Sequence, residues 1–196
     1  MELFAERGFD GVTVKDITRS LDLTEATLYI HFKSKAALLQ AIFAQLEEQL
    51  VTPAFTAPTR DLEDISSAAD LARFLVTGAR RFFSRATKET QLIWRLLMIS
   101  QYRYEAAHEG VRDQLIEAPA AYFASMINQM KRKGIIDKGV DTRAAGRTIA
   151  AVFFQYSFTA NLNAAWDPPR PSEPRTDHLA DLRKQLEVVA RGLMRG

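Results

Sequence analysis

The chain concentrates one kind of chemistry near its N-terminus. Thr24, Thr27, Tyr29, His31 and Lys33 fall within ten residues. Hydroxyl, imidazole and ammonium groups donate to phosphate oxygens. Small Ala26 sits among them, where a methyl group can approach a base edge or a thymine methyl. Glu25 and Ile30 complete the set of residues that point away from the apolar positions. Such a surface needs a short, stiff support that presents it outward.

The spacing supplies that support. Thr13 with Asp16 three residues later marks a helix start. Val14, Ile17 and Leu21 recur at i, i+3 and i+7, which predicts one apolar face. Leu23 follows a turn, and Thr24 is a second N-cap. Leu28 and Phe32, four apart, face the core of the next helix. Ser34 caps a third helix from about residue 35, with Leu38, Leu39, Ile42, Phe43 and Leu46 as its apolar stripe. Two short helices across a tight turn form a unit that can place its second helix in the DNA major groove.

The run Phe4-Ala5-Glu6-Arg7-Gly8-Phe9, then Thr13-Val14 with Ile17, then Thr24 through Leu38 with its Thr27-Leu28-Tyr29, His31-Phe32 and Ser34-Lys35 pairs, resembles the DNA-binding head of TetR-family repressors. The resemblance spans about the first 45 residues. It implies phosphate contacts from Thr13, Thr24, Thr27, Tyr29, His31 and Lys35, and base-edge contacts from Glu25, Ala26 and Ile30. Two positions depart from the family pattern. Asp22 stands where the turn usually has Gly, and Asp tolerates a positive φ better than most residues. Ile30 stands where a polar or basic side chain is common, which bears on base preference and not on fold. Met1 falls inside the expected first helix, so the resemblance implies a longer start and a basic arm before it.

Composition narrows the class. The chain has 196 residues, 47% of them apolar and 26% charged, which suits a globular protein with a real core. It has no cysteine, which excludes a disulfide scaffold, Cys-based zinc sites and thiol catalysis. Charged residues interrupt the N-terminus, so no secretory signal is read, and Ile149–Phe154 is too short to span a bilayer. The expected location is cytoplasmic, with no membrane partner. A net charge of +2 says little about nucleic acid. Residues 1–50 hold five Lys/Arg against eight Asp/Glu, a net of −3. A DNA-binding head should show a basic face, so the acids are expected to fall mostly off it.

The remainder reads as helix. Stretches at about 67–86, 89–106, 111–133, 142–165 and 177–195 are punctuated by Gly110, Gly134 and Gly139. Pro53 and Pro58 break the chain after the third capped helix, and four prolines in 167–176 exclude helix there. The expected fold is all-α: a three-helix helix-turn-helix DNA-binding domain at 1–50, including the linker helix from about 35, and a helical ligand-binding and dimerisation domain at 51–196.

Leu179, Leu182, Leu186, Val189 and Leu193 are spaced 3-4-3-4, as in an a/d seam. The stretch Thr148–Phe158, with Phe153 at its middle, is apolar nearly all round and must be covered on two sides. A homodimer through these two helices is expected; the resemblance implies the same pair, and a dimer suits a palindromic operator on double-stranded DNA. Trp94, Met98, Tyr102, Tyr122, Met126 and Phe158 are the candidate lining for a small, apolar or aromatic effector. His108 and His178 lack ligand-type neighbours and read as surface residues. No Gly-x-Gly-x-x-Gly, Walker loop, His-Glu-x-x-His or nucleophile elbow is present, so neither an enzyme nor a cofactor is expected. The competing reading is a helical sensor or enzyme whose helix-turn-helix-like head does not bind DNA.

Overall fold

The computed structural model describes residues 2–51, 62, 64–85, 87–166 and 178–194. Among them the regular structure is entirely helical. In chain order these are α1 (Glu2–Arg7), α2 (Val14–Ser20), α3 (Glu25–His31) and α4 (Lys35–Leu46), which runs on as π-wound turns through Glu47–Val51. Then come α5 (Ala68–Ser84), α6 (Lys88–Ser100) and α7 (Glu105–Gly110), the last continuing π-wound over Val111–Glu117. α8 (Ala118–Arg132), α9 (Thr142–Trp166) and α10 (His178–Met194) complete the set. The proline-rich stretches at 53–58 and 167–176 lie outside the described residues.

Packing divides the chain into two compact units that interleave in sequence. The first gathers α1–α4 with α6 and α7; the second gathers α5 with α8, α9 and α10. In the first unit α6 packs on α1, α4 and α7. Its interior holds Phe4, Val12, Ile17, Leu28, Leu39, Phe43, Leu46, Ile93, Leu96 and Leu97, all buried. A head of three short helices cannot bury enough apolar surface by itself, and α6 supplies the missing wall.

The helix expected over 89–106 stops at Ser100 and resumes at Glu105. The amides of Arg103 and Tyr104 close the turn on the Ser100 carbonyl at 3.0 and 3.1 Å. Local sequence holds no breaker here. The break frees Arg103 and Tyr104 to reach Asp10: Arg103 pairs with its carboxylate at 3.0 Å and the Tyr104 hydroxyl donates to it. The Tyr104 ring meets Phe9 edge-on at 4.5 Å. Gly110, expected as punctuation, is instead buried within a continuous helical run, against Leu97.

In the second unit, Ser67 and Asp70 form a capping box that starts α5: the Asp70 amide donates to the Ser67 hydroxyl at 3.2 Å, and the Ser67 amide to the Asp70 carboxylate at 3.0 Å. The Ser67 hydroxyl, with Ser66, holds the Asp70 carboxyl below its ordinary range. The core joins Leu71, Leu75 and Ala79 of α5 to Phe123, Met126 and Ile127 of α8, Ile149 and Phe153 of α9, and Leu182, Leu186 and Leu193 of α10. This corrects the expected seam. Leu182, Leu186, Leu193 and Phe153 are covered within one chain, while Leu179 and Val189 are half-buried against the same core. The 3-4 spacing of α10 is used on α5 and α9, because a narrow stripe packs on any neighbouring helix pair and does not specify a second chain.

α8 and α9 approach closely at Gly146. A Cβ there would stand 2.6 Å from the Ala120 carbonyl oxygen and 2.7 Å from the Ala124 amide nitrogen. Both neighbours are backbone and cannot rotate away. Gly146→Ala should therefore cost about 1–3 kcal/mol by overpacking, even though alanine is the better helix former. A urea denaturation midpoint that stays put or rises would show that the two helices slide apart without penalty.

Candidate nucleic-acid interface

The presenting helix α3 is two turns long and depends on its ends. Thr24 precedes it with extended backbone, φ −88° and ψ 154°, and accepts the Thr27 amide at 3.1 Å. The Thr24 and Thr27 hydroxyls share a further bond at 2.9 Å, which leaves one of the two protons free to point outward. Leu28 anchors the inner face, 5% exposed, and Phe32 closes the helix with its amide on the Leu28 carbonyl at 2.9 Å. The turn before α3 is made by Asp22 at φ +54°, the positive-φ position expected from the sequence and the one non-glycine of that kind among the described residues.

α2 begins at a second capping box. The Thr13 hydroxyl accepts the Asp16 amide at 3.1 Å and donates to the Asp16 carboxylate at 2.6 Å. That bond, foremost, keeps the Asp16 carboxyl below its ordinary range. The single hydroxyl proton of Thr13 is thus committed to Asp16, so the phosphate donation expected of Thr13 is not available in this geometry. Leu21, expected on the buried face, is 59% exposed. α2 ends at Ser20, and Leu21 has left helical geometry with ψ near 1°, so a helical period cannot be carried to it. Thr18 takes an inward place instead, buried and bonded through its hydroxyl to the Lys15 carbonyl at 3.2 Å.

The outer face of α3 carries Glu25, Ala26, Tyr29, Ile30 and His31, all exposed, with Thr24 and Lys33 exposed at its ends and Thr27 half-buried. Ile30 is 79% exposed and Tyr29 47%. Lys15 and Arg19 on α2 are also exposed; both are cations on the helix that, in such units, crosses the nucleic-acid backbone. Their exposure, more than any motif, marks them.

Lys35 is placed differently from expectation. Its Nζ donates to the carbonyls of Phe9 at 2.7 Å and Val12 at 2.9 Å and lies 4.1 Å above the Phe9 ring. A cation in the first turn of a helix opposes the helix dipole. Here two carbonyl bonds and a ring face offset that cost. Lys35 is a clamp between the start of α4 and the turn after α1, not a free phosphate donor.

Three of the eight acids of the head are held by structure. Asp10 holds Arg103 and Tyr104, Asp16 caps α2, and Glu47 accepts from the Gln114 amide at 3.1 Å. Glu25 is the acid left on the outer face of α3.

The candidate effector residues are not alike in placement. Trp94, Met98 and Tyr102 belong to the first unit, and Tyr122, Met126 and Phe158 to the second. Met126 has no exposed surface and is core; Tyr102 is 90% exposed. A fully covered thioether and a solvated phenol do not line a ligand cavity as placed, which corrects the expectation for both. Trp94 is buried, Met98 and Tyr122 are half-buried, and Phe158 is 37% exposed.

Comparison with known proteins bears on this head first. Residues 1–42 match the family described as "Bacterial regulatory proteins, tetR family". Over 48 residues the chain is 46% identical to the HTH-type transcriptional regulator UidR of Escherichia coli (strain K12), a stretch that is 24% of each protein. The chain thus spans about a quarter of the length of that curated relative. Whole-chain similarity is to structures. Salmonella enterica GusR superposes with TM-score 0.67 at 22% identity, covering 97% of this chain and 90% of that one. The transcriptional regulator FadR from Bacillus subtilis, solved in complex with stearoyl-CoA, superposes with TM-score 0.63 at 18% identity, covering 98% and 94%.

Lys35→Ala should lower the stability of the head by about 1–3 kcal/mol through the lost charge-assisted bonds. Amide exchange should rise between Phe9 and Val12. Lys35→Met, which keeps the stem over the Phe9 ring, should recover only the packing part. Unchanged denaturation and unchanged exchange in Lys35→Ala would remove the clamp.

Proposed function

We propose, for a chain that carries a TetR-family head on the helical fold of solved TetR-family regulators, that it is a DNA-binding transcriptional regulator: a repressor released from a palindromic operator by a small molecule. The observation that carries this reading is the outward face of α3. It combines hydroxyls, an imidazole and a lysine with an exposed isoleucine. In the major groove, Ile30 and Ala26 meet thymine methyl groups, and Glu25 accepts from a cytosine amino group. Thr24, Thr27, Tyr29, His31 and Lys33 hold the phosphates on either side, joined by Lys15 and Arg19 from α2.

A palindrome needs two heads. We infer that a second copy covers the outer side of α9. Leu115, Ile116, Ala151 and Phe154 surround an apolar hollow of about 280 Å³, with Phe158 exposed one turn beyond Phe154. Burying that face against its own copy gives an isologous contact. The effector acts by binding better to the form that does not fit DNA, since only a difference in affinity moves the equilibrium. A coupling of about 1–3 kcal/mol weakens operator binding by roughly 5–150-fold. An apolar or aromatic small molecule remains the effector class.

The acidic balance of the head favours one alternative, a helical sensor or enzyme that does not bind DNA. Fluorescence anisotropy against inverted repeats upstream of its own coding region separates the two. Binding should fall steeply with salt, and Lys33→Ala should weaken it on all sequences and reduce the salt slope by about one. Ile30→Ala should change base preference and leave the slope alone. Light scattering should give a dimer that Phe158→Glu dissociates. Salt-independent or absent binding selects the alternative, and a wild-type monomer at micromolar concentration removes the palindrome.

A further inference from the structure

Within the second unit, α5 and α10 enclose a groove of about 410 Å³. Its two banks are basic. Arg73 and Arg80 line it from α5, and Arg183 and Arg191 from α10. Its apolar floor is formed by alanines of the first turns of α5 and by Val76. Glu187 is the one carboxylate in the lining, and Arg183 Nε already holds it at 2.9 Å. Asp70 lies beside the groove and takes Arg73 at 3.2 Å, but its other oxygen is committed to Ser66 and Ser67 at the start of α5. Arg80 and Arg191 have no carboxylate partner among the described residues.

This is more than a solvated stripe. Arg73 and Arg80 are seven apart, so they share one face of α5 two turns from each other. Arg183 and Arg191 are eight apart on α10 and flank Glu187. Each bank therefore presents forks over about 10–12 Å. Of the four guanidinium groups in the lining, Arg73 and Arg183 are offset by Asp70 and Glu187, which leaves the charges of Arg80 and Arg191 as a surplus that an anion would offset. All four are arginine, the side chain whose planar fork bonds phosphate or carboxylate by two parallel N–H groups. Alanine at the floor leaves space that a larger residue would fill. The size falls in the range of small-molecule sites.

We propose that the groove between α5 and α10 binds an organic polyanion: a small molecule with phosphate or carboxylate groups gripped by Arg80 and Arg191, and a slender apolar part against the alanine floor. The groove belongs to the second unit, and its lining includes none of the DNA-facing residues and none of those named for an apolar effector. It does not rest on DNA binding.

The test is calorimetric titration of the full chain with pyrophosphate and, separately, citrate, at low ionic strength where screening is weak. Saturable binding at one site per chain is expected, and the tighter probe names the phosphate or the carboxylate source. R80Q/R191Q should weaken it by about tenfold or more, the equivalent of one charge-assisted pair. Lys33→Ala should leave it unchanged. Both arginines are exposed, so circular dichroism and melting of the double variant should match the parent. If they do not, R80K/R191K keeps the charge while losing the forks, and it should bind more weakly than the parent. Absence of saturable binding by either probe overturns the proposal. So does binding that survives R80Q/R191Q in a folded protein, that R80K/R191K leaves undiminished, or that disappears in Lys33→Ala.

Discussion

A two-turn helix has no stability of its own in water, because the first hydrogen-bonded turn costs more than it returns. Everything the outer face of α3 does depends on holding seven residues in place from outside. Lys35 is the main holder. By bonding the carbonyls of Phe9 and Val12, it ties the start of α4 to the chain that runs from α1 into α2. Only three residues separate α3 from α4, so fixing one end of that connection fixes the direction of α3. A hydrophobic contact in the same place would leave the Val12 carbonyl unpaired and the Phe9 carbonyl with only a long bond from the Val12 amide, at 3.5 Å.

The clamp reaches further through Phe9. Its ring stacks near Phe4 at 5.6 Å, receives the lysine on its face, and meets Tyr104 edge-on. Asp10, next in the chain, gathers Arg103 and the Tyr104 hydroxyl. Burial, and then the bond to Asp10, push the Tyr104 phenol above its ordinary pKa, so it stays a neutral donor. The turn between α6 and α7 thus belongs physically to the head. The head is a unit of six helices in packing terms, although four of them are contiguous in sequence. The turn between α6 and α7 and the turn after α1 therefore touch directly.

The charge of the head becomes intelligible on the same basis. Of the eight acids behind its net of −3, Asp10 is paired with Arg103, Asp16 and Glu47 are held by Thr13 and Gln114, and Glu25 is the one that stands on the outer face of α3. The basic and hydroxyl groups on the outer face of α3 remain unclaimed, apart from the shared Thr24–Thr27 bond. Net charge counts formal groups, whereas a ligand meets only those left pointing at it. Around the groove of the second unit the arrangement is the opposite: the nearby carboxylates are taken up by the cap of α5 and by Arg183, and Arg80 and Arg191 line the groove as surplus cations.

Much was legible in the sequence because it is decided by near neighbours. The caps at Thr13, Thr24 and Ser34, the positive φ at Asp22, and the existence of most helices follow from bonds that span two to four residues. The exposed set on α3 was readable for the same reason: a helix fixes which side chains share a face. What was not legible depends on residues distant in the chain. The 3-4 leucines of α10 state that a stripe will be buried but not against what, and α5 and α9 claim it before a second chain can. Nothing local announces that Lys35 meets Phe9, that Asp10 interrupts a helix at 101–104, or that Arg80 and Arg191 line one groove. The sequence by itself determined the helices and the surface that α3 offers. The tertiary structure alone decided which lysine is a clamp, which leucines are core and which arginines converge, because burial and charge pairing are properties of the space between elements, and no residue carries that information in its own neighbourhood.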